Sequence, residues 1–191
     1  MIKEKTDIFS ILKSKGFVLR EIKSPLDVVR EMGPIAEGKY IWNYGKLGQI
    51  LFEKSDHIAK LRPKGCRLTD GHEPRIKFSN LKPVAHLDTI IYEPRSKKIR
   101  AICEVKATVN KLKREFDANG VCGFVFQKAL KVGIPVFLAI VRFKALPPES
   151  IITDAGYDEH LEYLRSNPDQ YQIEFYAQNQ FELVDNRFVI R

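Results

Sequence analysis

Residues 84–106 read VAHLDTIIYEPRSKKIRAICEVK and decide the fold. Two apolar runs flank a charged turn, and this pattern is typical of a β-hairpin. Each run carries an acid, Asp88 in the first and Glu104 in the second, where a strand normally carries Val or Ile. A carboxylate in a half-buried strand is costly unless a cation neutralises it. Asp88, Glu104 and the nearby Lys106 are therefore the unusual residues of this hairpin.

The spacing of these charges indicates chemistry. Side chains alternate faces along a strand, so Glu104 and Lys106 project from one side while Cys103 and Val105 face the other. Carboxylate oxygens hold a hard divalent cation, and an ammonium group beside them can contact a water or a phosphate. Two acids and this lysine therefore predict a metal-assisted site for phosphodiester hydrolysis.

The register of the hairpin decides whether Asp88 can join this site. Residues directly opposite each other in an antiparallel pair point to the same face. An unbroken ladder that pairs Tyr92 with Ile99 is incompatible with a shared site. It would place Asp88 opposite Cys103, and so on the face away from Glu104. A shared site therefore requires an odd number of turn residues or a β-bulge.

Asp88, then fifteen residues, then Glu104-Val105-Lys106 resembles the core motif of the PD-(D/E)xK nuclease superfamily. Leu87 stands where the family name places a proline. The resemblance spans residues 44–143 and implies the restriction-endonuclease-like core, an α/β fold with a mixed central β-sheet flanked by helices. It also implies Mg²⁺ as the cofactor, with Mn²⁺ as a substitute, and DNA as the partner.

The resemblance assigns roles to the motif residues. Asp88 and Glu104 are expected to hold one or two Mg²⁺ ions, and the Val105 carbonyl is expected to complete the shell. Lys106 is expected to position the attacking water and to stabilise the developing charge. Catalysis is thus expected from Asp88, Glu104 and Lys106, with metal ligation by Asp88, Glu104 and Val105.

Further candidates lie on the flanking segments, and each keeps an alternative. Glu53 matches the glutamate that the family's preceding helix supplies to the metal, or it is a solvated surface residue. Gln127 matches a glutamine that faces the acid pair and orients Lys106 or the water, or it is structural. Basic side chains of the segment after the hairpin either line a DNA channel or form a solvated face; they are Lys111, Lys113 and Arg114.

The apolar residues on either side of the hairpin predict the other helices and strands of the core. Apolar spacing over residues 47–61 predicts one helix, with Glu53 and His57 together beside its apolar stripe. Residues 121–133 predict a buried helix that ends at Gly133, and residues 134–143 predict a strand buried on both faces. Strand, helix and strand in this order predict a parallel, right-handed crossover.

The remaining segments are expected to extend this core. Residues 1–43 predict an N-terminal α/β appendage, which either packs on the core or helps to recognise DNA; packing is favoured. Residues 144–191 predict a helix near 154–165 and three strands, as extra sheet or as the edge of a homodimer. With 191 residues, the chain is long enough for one good core.

Composition narrows the function classes. The 32 Lys and Arg residues against 24 Asp and Glu give a net charge of +8, which suits a polyanionic partner. No apolar run reaches the ~18 residues of a membrane span, and residues 1–9 lack a signal peptide's apolar core, so a cytoplasmic location is expected. Three widely spaced cysteines support neither a disulfide framework nor a zinc ribbon.

The sequence thus predicts a Mg²⁺-dependent deoxyribonuclease, and an endonuclease is favoured, although the residues do not decide between an endonuclease and an exonuclease. Two alternatives stay open, a non-catalytic nucleic-acid-binding module on the same fold and a nuclease that acts on RNA. Carboxylates beside a phosphate would repel it, which argues against a module that only binds.

Overall fold

The computed structural model describes residues 10–12, 14, 19–22, 36–69, 74–76, 85, 86, 88–107, 129, 131–184 and 187–190. The described helices are α1 Ala36–Glu53, α2 Asp56–Leu61 and α3 Asp154–Ser166. The described strands are β1 Leu19–Ile22, β2 Arg67–Leu68, β3 Pro74–Ile76, β4 Ala85–His86, β5 Thr89–Glu93, β6 Lys98–Lys106, β7 Val136–Phe143, β8 Tyr171–Ala177, β9 Phe181–Val184 and β10 Arg187–Ile190. Within these ranges, no helix is both long and apolar enough to cross a membrane.

The central layer is a five-stranded mixed sheet in the order β2-β5-β6-β7-β8. β6 and β7 run parallel, and the other neighbours are antiparallel. Two smaller antiparallel groups accompany it, β1-β3-β4 and the pair β9-β10. The predicted α/β class with a mixed sheet is therefore confirmed, and so is the parallel pairing after the hairpin.

The crossover from β6 to β7 ends as predicted. Gly133 has a φ of +71°, a left-handed conformation that favours glycine just after a helix. The backbone N–H of Ile134 donates to the carbonyl of Ala129 at 2.8 Å, which closes the last helical turn. β7 then lies between β6 and β8 in the sheet and carries five buried apolar side chains, Val136, Leu138, Ala139, Ile140 and Val141. Most of the predicted helix 121–133 lies outside the described residues.

The β5–β6 hairpin contains the β-bulge that a shared acid site requires. Tyr92 pairs with Ile99. If the ladder continued without a break from this pair, Asp88 and Glu104 would lie on opposite faces of the sheet. The register then shifts by one residue at Arg100, so that Thr89 lies opposite Cys103. Asp88, which precedes Thr89, therefore falls level with Glu104 rather than with Cys103. The bulge resolves the conflict that the turn length left open.

The predicted single helix over residues 47–61 is wrong. α1 extends from residue 36 to Glu53, and α2 follows as a separate short helix. Ser55 breaks the continuity because its backbone is extended and its hydroxyl donates to the Phe52 carbonyl at 2.7 Å. His57 consequently stacks on Phe175 of β8, with ring centroids 4.9 Å apart. The division proposed after residue 43 also falls inside α1.

The main core lies between α1, α3 and one face of the central sheet. Its sheet residues include Ala101, Cys103 and Val105 of β6, and helix residues such as Leu47 and Phe52 pack on them. A Cβ on Gly48 would lie 3.4 Å from the Cβ of Val141, so α1 approaches β7 closely at this glycine. The side chains of Glu104 and Lys106 project from the other face of β6.

The C-terminal segment confirms its predicted elements. α3 covers the expected helix, and β8, β9 and β10 are the three expected strands. β8 pairs with β7 along seven residue pairs, so it extends the central sheet. α3 begins after Thr153, whose hydroxyl oxygen accepts the N–H of Gly156 at 3.1 Å and so caps the first turn.

Two glycines in helices should respond oppositely to alanine. Gly45 of α1 has nothing within 4 Å of an added Cβ, so Gly45→Ala should stabilise the protein by about 0.5–1 kcal/mol. A Cβ on Gly156 would lie 2.1 Å from the Ser150 carbonyl oxygen, so Gly156→Ala should destabilise it by at least about 1–3 kcal/mol. Urea denaturation of both variants measures these shifts. If both variants change the free energy of unfolding equally, the close approach of Gly156 to the Ser150 carbonyl is contradicted.

Candidate active site

Asp88, Glu104 and Lys106 meet at one point. The Nζ of Lys106 lies 2.5 Å from Oε1 of Glu104 and 3.8 Å from Oδ2 of Asp88. Because both oxygens contact one nitrogen, they lie within about 6 Å of each other, which one or two Mg²⁺ ions with ligand distances of about 2.1 Å can bridge. The structure therefore brings together the three residues that the sequence singled out.

These charges are largely removed from water. The exposed fraction of the side chain is 2% for Glu104, 14% for Asp88 and 15% for Lys106. Burying an uncompensated carboxylate costs several kcal/mol. The ammonium group of Lys106 provides that compensation. A cation of this kind was expected beside acids in a half-buried strand.

Asp88 is fixed at both its side chain and its backbone. β6 runs past the start of β5, and the backbone N–H of Val105 donates to Oδ2 of Asp88 at 2.8 Å. The Nε2 amide of Gln49 in α1 donates to the Asp88 carbonyl oxygen at 2.6 Å. The carboxylate is thus held beside the end of β6, close to Glu104 and Lys106. Ligation by the Val105 carbonyl stays a prediction.

A buried polar chain on α1 reaches the same part of the hairpin. Nζ of Lys46 donates to Oε1 of Gln49 at 3.0 Å, and Nε2 of Gln49 donates to Oε1 of Glu53 at 3.1 Å. The hydroxyl of Thr89 donates to the same Glu53 oxygen at 2.8 Å. Glu53 is 7% exposed, so the alternative of a solvated surface glutamate is wrong. Its role as a metal ligand stays a prediction.

Sequence reasoning missed the partners of Glu53. Lys46, Gln49 and Glu53 are spaced three and four residues apart, which places polar side chains on one stripe of a helix. The predicted helix began at residue 47, so Lys46 was not placed on that stripe. Thr89 carried no signal of its own, because threonine is common in strands.

Cys103 projects from the core face of β6, opposite Glu104, and is not a nucleophile. Burial raises the pKa of its thiol, and the negative charges of Glu53, Glu104 and Asp88 raise that pKa further. A thiol is nucleophilic only as the thiolate. Cys103 therefore stays neutral and packs in the core, with none of its surface exposed.

Four predicted site residues lie outside the described part of the chain, namely Gln127, Lys111, Lys113 and Arg114. Leu87, which replaces the proline of the family motif, also lies outside it. Their roles stay predictions.

The donor set of this site suits magnesium. Within the described ranges, no three His, Cys, Asp or Glu side chains form a cluster that could hold a metal ion by themselves. Mg²⁺ does not require such a cage, since it usually keeps several waters and binds through one or two carboxylates together with substrate phosphates. Asp88 and Glu104 offer that pair, so the residues present fit Mg²⁺ or Mn²⁺.

The contact between Lys106 and Glu104 predicts a paired effect on stability. Lys106→Met should destabilise the protein by about 3 kcal/mol, because it leaves Glu104 buried without the ammonium group that contacts it. The double variant Lys106→Met, Glu104→Gln should recover most of this loss, because it removes the buried charge. Urea denaturation at pH 7 provides the comparison. A Lys106→Met protein as stable as the wild type would show that the pair is not needed for folding.

Comparison with known proteins leaves the geometry as the basis for assigning a function. The chain matches no family model, no curated protein and no solved structure among those compared. The resemblance to the PD-(D/E)xK motif therefore stays a hypothesis, supported by the meeting of Asp88, Glu104 and Lys106.

Proposed function

We propose that this protein is a Mg²⁺-dependent nuclease of the PD-(D/E)xK type that hydrolyses phosphodiester bonds in DNA as an endonuclease. One observation carries the proposal. The bulge at Arg100 moves Asp88 level with Glu104, and the ammonium of Lys106 contacts both carboxylates. β-bulges are over-represented next to active sites, where they redirect a side chain.

The two acids supply the cation-binding groups. Asp88 is held by the N–H of Val105 and Glu104 by Lys106, so both carboxylates have fixed positions before any cation binds. When bound, Mg²⁺ lowers the pKa of a coordinated water and neutralises charge on the phosphate. Fixed carboxylates lose little conformational entropy on binding, which favours affinity.

Lys106 has a second task once the acids hold a cation. Its ammonium would then no longer have to neutralise both carboxylates, and it would lie beside a phosphate held at the cation. There it donates a hydrogen bond to the attacking water or to a phosphate oxygen. Gln127, from the segment before β7, orients Lys106 or the water in this proposal. Lys111, Lys113 and Arg114 contact the DNA backbone.

Two features, taken together, favour a nuclease over a module that only binds. Asp88 and Glu104 are buried charges that weaken phosphate binding, because carboxylates repel a phosphate in the absence of a cation. A net charge of +8 nevertheless indicates attraction to a polyanion. A cation bound between the acids reconciles these two observations. The proposal includes a homodimer, in which each copy would supply one site for one strand of a duplex, and it places the enzyme in the cytoplasm.

Cleavage assays test the proposed function. The purified protein should nick and linearise supercoiled plasmid in the presence of Mg²⁺ but not of EDTA. Glu104→Gln should lower the rate at least about 100-fold, the usual scale for loss of a catalytic group. Glu162→Gln is the matched control, because Glu162 is 70% exposed on α3 and should leave the rate unchanged.

Linear duplex, branched DNA and RNA under the same conditions identify the substrate class. Wild-type cleavage rates in the Glu104→Gln protein would contradict the site assignment. Cleavage of RNA alone would replace DNA as the substrate, and cation-independent DNA binding without cleavage would favour the binding module.

A further inference from the structure

We propose that Gln49, oriented by Lys46, is the positioning residue of the cation site and that its single amide group holds Asp88 and Glu53 in place. This inference rests on the proposed function. It goes beyond the motif, which assigns no role to either Lys46 or Gln49. Both are buried on α1, with 8% and 3% of their surface exposed.

The amide of Gln49 joins two acidic residues on different elements. Its Nε2 donates to the backbone carbonyl of Asp88 at 2.6 Å and to Oε1 of Glu53 at 3.1 Å. A side-chain amide has two N–H donors, and both are directed at these oxygens. Gln49 thus connects the backbone of Asp88 to the carboxylate of Glu53, and both residues are predicted metal ligands.

Lys46 fixes the orientation of that amide. The oxygen and nitrogen ends of a glutamine have similar shapes, so their partners decide which end points where. An ammonium group can only donate, and Nζ of Lys46 lies 3.0 Å from Oε1 of Gln49. A flipped amide would place its NH₂ group against the ammonium and its oxygen against two other oxygens. Lys46 therefore keeps the donor end of Gln49 on Asp88 and Glu53.

Thr89 closes the arrangement from the hairpin side. Its hydroxyl donates to the Glu53 oxygen that Gln49 also contacts, at 2.8 Å. The backbone of Asp88 and the side chain of the next residue are therefore both attached to α1. Groups that orient metal ligands from outside typically change metal affinity about 10–100-fold when they are removed. An effect of this size on cation affinity is what the positioning role predicts.

Mn²⁺ binding by isothermal titration calorimetry, on the full chain without DNA, tests the inference. Gln49→Met keeps the length of the side chain and its zero charge but removes the donors, so the Kd for Mn²⁺ should rise at least about tenfold. Gln172→Met is the matched control, because Gln172 is exposed on β8, and its Kd should stay within about twofold of wild type. If Gln49→Met does not fold, Gln49→Asn withdraws the amide by one methylene and should show the same loss.

The Mn²⁺ dependence of cleavage is a second measurement. It would stay unchanged if Gln49 only stabilised the fold. The Mn²⁺ concentration for half-maximal cleavage should rise with the Kd in Gln49→Met, while the rate at saturating Mn²⁺ should return close to the wild-type rate. A Gln49→Met protein with a lower urea midpoint but an unchanged Mn²⁺ Kd would overturn the positioning role alone. A wild-type protein that binds no Mn²⁺ would overturn both this inference and the proposed function.

Discussion

A one-residue bulge in the β5–β6 hairpin is the constraint on which the site depends. Arg100, at the bulge, donates to Oε2 of Glu93 at 2.6 Å, and the hydroxyl of Ser96 donates to the same oxygen at 2.7 Å. These bonds from Ser96 and Arg100 lower the pKa of Glu93, so the carboxylate is charged at neutral pH. The turn therefore anchors the bulged residue. Through that bulge, Asp88 is level with Glu104 instead of Cys103.

Around this register, charge compensation explains why acids can occupy the strands. Glu104 is almost fully buried against Lys106, and Glu53 accepts hydrogen bonds from Gln49 and Thr89. The Glu104–Lys106 contact lies within β6, whereas the contacts of Glu53 join successive turns of α1 and tie α1 to β5. A polar network of this kind favours one geometry, because any slip leaves a buried charge or amide without its partners. Rigid carboxylates are also what cation binding requires.

Much of this arrangement could be predicted from the sequence, because the signals were local. Two apolar runs around a charged turn predicted the hairpin, a longer apolar run predicted β7, and Gly133 marked the end of the predicted helix before β7. The break between α1 and α2 was missed because the apolar stripe continues across Ser55, whose effect depends on a single hydroxyl. Lys46 and Gln49 were missed because polar residues on a helical stripe normally face solvent. Only the packing of α1 on the central sheet shows that this stripe is buried.

In the proposed function, Asp88 and Glu104 together hold a divalent cation. The most direct measurement is the anomalous scattering of Mn²⁺ in crystals of the wild-type protein grown with MnCl₂. A manganese peak is expected in direct contact with one carboxylate oxygen of Asp88 and one of Glu104. The ammonium of Lys106 is then expected to have moved away from Glu104 or to donate also to a neighbouring water. Shared cation binding by Asp88 and Glu104 is contradicted if, at saturating MnCl₂, manganese binds elsewhere or not at all while Lys106 still contacts both acids.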